Sequence, residues 1–211
     1  MRGVYLVTDS RLCDARGIEP VVARAAEAGI CCVQLREKNA ATRNFITAAK
    51  RLKKCLAPYH IPLIINDRVD VALAAGAEGV HVGQSDMPPE IARRLLGSAA
   101  IIGLSVETWD DVEKAQNLDI NYLGISPVYA TPTKTDTKAP WGVEGVARIK
   151  KFSRHPLVGI GGLDASNLAA VVRAGADCIA VVSAICASPD PFRATLRLKA
   201  AFNTARDKKA V

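Results

Sequence analysis

Short apolar runs and amphipathic stretches alternate along the chain at a regular interval. Three segments carry the unit most plainly: Ala28-Gly29-Ile30-Cys31-Cys32-Val33, Ala75-Gly76-Ala77-Glu78-Gly79-Val80-His81-Val82 and Ala174-Gly175-Ala176-Asp177-Cys178-Ile179-Ala180-Val181. In each, an alanine-rich helical stretch stops at a glycine, the residue that readily turns left-handed just past a helix end. A short β-prone run follows at once. Such runs are nearly continuously apolar, as strands covered on both faces should be. The pattern predicts strands near 3–8, 31–35, 62–66, 79–82, 101–105, 121–125, 157–161 and 178–182. Helices fall between them, near 17–28, 42–56, 68–75, 88–96, 107–116, 143–151, 165–173 and 191–205. Pro88 and Pro89 suit a helix start, and Thr42, Asp164 and Ser166 suit N-terminal caps.

Strands that alternate with helices belong to the α/β class, as either a closed barrel or a doubly wound open sheet. Even spacing, eight repeats and a near-minimal 211 residues favour a single (β/α)8 TIM barrel over residues 1–211. No Pro/Gly/Ser-rich linker divides the chain.

Composition narrows the setting. Hydrophobic residues make up 49% and charged residues 23%, ordinary globular usage. Met1-Arg2-Gly3-Val4-Tyr5 runs directly into a strand and lacks the features of a signal peptide. No apolar run approaches the ~20 residues that span a bilayer. The expectation is a cytoplasmic protein with no membrane partner. The six cysteines (Cys13, Cys31, Cys32, Cys55, Cys178 and Cys186) form no C-x-x-C pair. Strand alternation sends Cys31 and Cys32 to opposite faces. They read as reduced thiols packed as small hydrophobes, with neither structural zinc nor a disulfide framework. The net charge of +7 lies largely in helix-like stretches such as 50–54 and in the tail 206–209. With 5% aromatic residues and no recognisable module, nucleic acid is not the expected partner. A small anionic substrate fits the charge better.

In a barrel of this kind the site is built from the loops that follow the strands. After strand 2, Gln34, Arg36 and Lys38 alternate onto one side, with Leu35 and Glu37 on the other. Two cations in the barrel mouth call for an anion to meet them. Asp67 (with Asn66) follows strand 3 and Asp86 follows strand 4. Two neighbouring carboxylates repel unless a cation sits between them, and oxygen ligands with a phosphate partner suit Mg²⁺. Ser105 ends strand 5. The long segment after strand 6 carries Thr131, Pro132, Thr133 and Lys134, and long loops in compact folds are commonly lids or binding loops. Gly159-Ile160-Gly161-Gly162 after strand 7 stands beside Val182-Ser183 after strand 8, where barrels commonly hold a phosphate. His81 reads as a satisfied core histidine. None of His60, His81 and His155 reads as a general base at the rim, so ionisation of a good leaving group is the expected chemistry.

In order and spacing, the stretches 34–38, 66–67, 81–88, 131–134 and 159–162 resemble the thiamine phosphate synthase family. The resemblance runs from Tyr5-Leu6-Val7-Thr8-Asp9 to Val182-Ser183-Ala184-Ile185. It implies a transferase. A pyrimidinylmethyl diphosphate loses diphosphate, and a thiazole phosphate nitrogen attacks the resulting carbon. It further implies that Gln34, Arg36, Lys38, Asn66, Ser105 and Lys134 hold the pyrimidine diphosphate, with Leu35 and Glu37 of the same segment among the substrate contacts. Asp67 and Asp86 hold one Mg²⁺. Thr131, Pro132 and Thr133, with Gly162, Val182 and Ser183, hold the thiazole phosphate. Lys134, Arg36 and Ser105 take the catalytic roles. Thr135-Asp136-Thr137 and Trp141 depart mildly from the family's commonest wording. A thiazole tautomerase of the same barrel family would keep the glycine loop without needing the diphosphate set. A non-catalytic thiazole phosphate sensor would not need the aspartates. The sequence leaves a homo-oligomer open.

Overall fold

In a computed structural model, which describes residues 1–131 and 138–208, strand alternation sorts the apolar residues into two cores. The strands are β1 (Gly3–Val7), β2 (Cys32–Leu35), β3 (Leu63–Asn66), β4 (Gly79–Val82), β5 (Ile101–Val106), β6 (Tyr122–Ile125), β7 (Leu157–Ile160) and β8 (Cys178–Val181). Each is hydrogen-bonded to its neighbour in chain order, all are parallel, and β8 returns to β1 to close the barrel. The (β/α)8 expectation is met.

One set of strand residues points inward. Tyr5, Val7, Cys32, Ile64, Tyr122, Val158, Cys178 and Ala180 form the barrel interior. The alternate set, including Leu6, Val33, Leu35, Ile65, Val80, Ile102, Leu123 and Ile179, forms the larger layer under the helices. Each fully buried aliphatic side chain there contributes roughly 1.5–3 kcal/mol relative to leaving it exposed.

The outer helices are α2 (Ile18–Glu27), α3 (Thr42–Leu56), α4 (Val69–Ala75), α5 (Pro89–Leu96), α6 (Trp109–Ala115), α7 (Gly142–Phe152), α8 (Leu168–Ala174) and α10 (Pro191–Asp207). One-turn helices α1 (Ser10–Cys13) and α9 (Ser183–Cys186) directly follow β1 and β8. The periodicity did not predict them, since a single turn is too short to display a period. Gly76 stops α4 at φ 63°, with its N–H donating to the carbonyls of Ala72 and Leu73. That is the left-handed stop the repeat implied. Among the described residues, no helix is long and apolar enough to cross a membrane.

Several local expectations need correction. Thr42 is not a cap: it is the first residue of α3, Ala41 precedes it without a side-chain capping bond, and the Thr42 hydroxyl accepts from Arg68 at 3.0 Å. Asp164 and Ser166 do not cap α8, which begins at Leu168. The Asp164 carboxylate instead accepts from the Ser166 N–H at 2.7 Å and its hydroxyl at 2.6 Å. Short polar side chains readily satisfy such a local turn in place of a helix end. The side-chain caps that do form come from Asp9, Thr108 and Asp190. Cys31 and Cys32 do not face opposite ways, since both pack against the inner core. Cys31 precedes the first residue of β2, so strand alternation does not govern it. All six cysteines are free thiols.

Candidate active site

The C-terminal ends of the strands surround a cavity of about 520 Å³. Its walls are set by parity. Gln34, Arg36 and Lys38 line it, and Leu35 and Glu37 do not. Leu35 is fully buried in the layer under the helices. Glu37 accepts from the Ser10 hydroxyl at 3.5 Å, and burial pushes its carboxyl up from the usual range. Those two side chains lie on the far face of the same extended segment.

The end of β1 braces Arg36. The Arg36 N–H donates to the Thr8 hydroxyl at 3.1 Å, and its guanidinium lies 3.9 Å from the Asp9 carboxylate. Thr8 and Asp9 are almost fully buried. Asp9 also accepts from the N–H groups of Arg11 and Leu12, which anchors the short α1. An aspartate at a strand end just before a helical turn is a capping signal, and Asp9 caps α1.

Asn66 and Asp67 line the cavity at the end of β3, and Asp86 lines it after β4. Asp67 adopts φ 61°, a conformation that Asp and Asn tolerate better than most residues, and its N–H donates to the His81 carbonyl at 2.8 Å. Lys38 Nζ reaches the Asp67 carboxylate at 2.6 Å. Asp86 accepts from the Gly83 N–H at 2.7 Å. Burial, and then the adjacent Asp67, holds the Asp86 carboxyl above its usual range. The two carboxylates thus share one patch of the cavity wall. Among the described residues, no group of three or more His, Cys, Asp or Glu could hold a metal. Two carboxylates completed by water and phosphate oxygens are nevertheless a sufficient protein share for Mg²⁺, and a cation there would relieve the repulsion that Asp67 exerts on Asp86.

Ser105 Oγ lies 2.8 Å from His81 Nε2, and the Ser105 carbonyl accepts from Gln84 at 2.6 Å. Across the cavity stand Gly161, Gly162, Val182 and Ser183. Gly162 has φ 62°, and a Cβ there would come within 2.8 Å of the Ala130 carbonyl oxygen. The glycine thus lets the loop after β7 lie against the one after β6. Thr131 lines the cavity as well. Pro132, Thr133 and Lys134 lie outside the described residues.

The cavity lining outside the predicted site includes Tyr5, Tyr122 and His81. His81 is satisfied as expected, with both ring nitrogens hydrogen-bonded, yet it also faces the cavity. The usable signal was inward parity. His81 pairs in register with Asn66 and Gly103, and each lies an even number of residues from a cavity-lining neighbour. His155 does not line the cavity and is buried against the Ala115 carbonyl at 2.9 Å.

A closed parallel barrel whose strand ends gather two cations, adjoining carboxylates and a glycine loop belongs to the class of barrel enzymes that handle phosphorylated substrates. Residues 4–185 match the family model of thiamine monophosphate synthase, and the chain belongs to that family. It is 55% identical over 196 residues to the thiamine-phosphate synthase of Albidiferax ferrireducens, covering 93% of this chain and 90% of that one. It is 50% identical over 206 residues to that of Leptospira biflexa, covering 96% and 98%. Among solved structures, a thiamine phosphate pyrophosphorylase from Pyrococcus furiosus superposes with a TM-score of 0.87 at 34% identity, over 96% of each chain. The chain is a transferase of thiamine biosynthesis.

Proposed function

We propose that this cavity joins 4-amino-2-methyl-5-pyrimidinylmethyl diphosphate to a thiazole phosphate, releasing thiamine phosphate and diphosphate. The C–O bond to the diphosphate breaks and its electron pair leaves with the diphosphate oxygen. The thiazole nitrogen lone pair then forms the new C–N bond at the carbocation-like methylene. That nitrogen carries no proton, so no base is required. This agrees with a site where the only cavity-lining histidine, among the described residues, has both nitrogens engaged.

Gln34, Asn66 and Ser105 hold the pyrimidine. Arg36, Lys38 and Lys134 meet the diphosphate, with fixed cations placed where charge develops. Asp67 and Asp86 would hold Mg²⁺, which when bound supplies charge that stabilises the departing diphosphate. Thr131 and Thr133, with Gly162, Val182 and Ser183, take the thiazole phosphate, because the backbone of glycine-rich turns approaches anions closely. The observation that carries this reading is the meeting of the adjoining Asp67 and Asp86 with Arg36 and Lys38 in the same cavity as the glycine loop.

The test is to incubate the protein with both substrates and Mg²⁺ and weigh the products. Thiamine phosphate and diphosphate should form and should cease on chelation. Isomerised thiazole phosphate formed without metal would instead mark a tautomerase and overturn the reading.

A further inference from the structure

Two cavity residues on opposite sides of the barrel are joined through its interior by an unbroken line of hydrogen bonds. Gln34 Nε2 donates to the Tyr5 hydroxyl at 2.8 Å. The Tyr5 and Tyr122 hydroxyls are 3.1 Å apart. The Tyr122 hydroxyl is 3.0 Å from His81 Nδ1, and His81 Nε2 is 2.8 Å from Ser105 Oγ. Both tyrosines are about 1% exposed. Their rings meet edge to face at 6.2 Å, and Tyr122 stacks on His81 at 5.4 Å.

The flanking strands leave space for these rings. A Cβ at Gly103 would overlap the Tyr122 ring and come within 2.5 Å of His81 Nδ1, and a Cβ at Gly124 would lie 2.9 Å from His81 Cε1. Burial holds both tyrosine hydroxyls far above the usual phenol range, so they stay protonated. Each therefore has one proton to give, and along a buried line every donor needs an acceptor.

The geometry points to Tyr5, Tyr122 and His81 as positioning residues that set the hydrogen-bonding sense of Gln34 and Ser105 toward the pyrimidine. With Gln34 donating at one end, Tyr5 gives its proton to Tyr122, Tyr122 to His81 Nδ1, and His81 Nε2–H to Ser105. The Gln34 carbonyl is then the amide's group for the cavity, and the Ser105 hydroxyl keeps its own proton to donate there. An acceptor on one side and a donor on the other complement an aminopyrimidine, which offers amino N–H beside ring nitrogens that accept. The inference rests on the pyrimidine assignment of the previous subsection and goes beyond it, since these three residues act through others rather than on the reacting atoms.

The test is a double-mutant cycle in steady-state kinetics, with thermal unfolding followed alongside. Tyr122→Phe keeps the ring and removes the link. It should lower kcat/KM for the pyrimidine diphosphate about tenfold, as expected for breaking a buried hydrogen bond. KM for thiazole phosphate should stay within about twofold. In a Ser105→Ala background the same change should cost clearly less than in wild type, because the share carried through His81 to Ser105 is gone while the share carried through Tyr5 to Gln34 remains. Should Tyr122→Phe fail to fold, Tyr5→Phe measured with Gln34→Ala closes the same cycle from the other end. An undiminished effect in the Ser105→Ala background, an equal rise in both KM values, or no effect at all overturns the inference. Wild-type turnover alongside any of these leaves the proposed reaction intact. Loss of wild-type turnover itself would overturn both.

Discussion

Asp67→Asn separates the electrostatics of the site from the stability of the barrel. The change removes one negative charge with little change of shape, and Asn tolerates the φ of 61° at least as well as Asp. The lost interaction is the Lys38 pair at 2.6 Å, whose side chains are 52% and 20% exposed. A pair that open to solvent stabilises by about 0–1 kcal/mol. Its loss is offset by relief of the repulsion that helps hold the Asp86 carboxyl up. The net change should stay within about 1 kcal/mol, or roughly 2–4 °C in Tm for a chain of this length. Turnover should fall much further, by at least the roughly 10²- to 10³-fold expected when one preorganised electrostatic contact is removed. The assay pairs steady-state diphosphate release with thermal unfolding, without and with Mg²⁺ plus inorganic diphosphate. Wild type should be stabilised by the pair of ligands, by about 2.7 kcal/mol at a hundred times Kd, and the variant should not. A variant that turned over normally and kept that ligand-induced shift would refute the metal assignment. One that unfolded outright would refute the account of how little the ion pair contributes.

Lys134→Ala should slow turnover by roughly 10²- to 10³-fold, and unchanged rates would remove that residue from the site. Gly103→Ala should destabilise the fold by at least about 1–3 kcal/mol, the cost of overpacking a filled interior, because its Cβ would overlap the Tyr122 ring; chemical unfolding measures this. Burial pushes the His155 imidazole below its ordinary value of 6.5, so the unfolded chain takes up the proton first. Stability contributed by this group is therefore complete above pH about 6.5 and falls as pH drops toward the depressed folded value. Urea unfolding at stepped pH should show that decline in wild type and a shallower one in His155→Gln, and identical slopes would contradict it.

The barrel itself was legible because its signals are local. Helix-ending glycines such as Gly76, short apolar runs and even spacing recur often enough to count, and a closed ring of parallel strands satisfies all of them at once. Strand parity was legible too, and it placed Gln34, Arg36 and Lys38 together before any coordinates. It also sent the Leu35 and Glu37 side chains to the opposite side, where they lie. Caps were read less well. Whether Asp164 caps a helix or closes a turn depends on where α8 begins, and packing decides that rather than the residue's own preference.

What the sequence alone determined was a repeating βα chain with cationic, carboxylate and glycine-rich segments at its strand ends, because side-chain alternation and helix stops act over a few residues. Only the closed barrel decided that Lys38 pairs with Asp67. It also brought Tyr5, Tyr122 and His81 into line between Gln34 and Ser105 (Tyr5 and Tyr122 are 117 residues apart). Contacts of that kind arise when opposite walls of the barrel converge on one axis, a distance that no local pattern encodes.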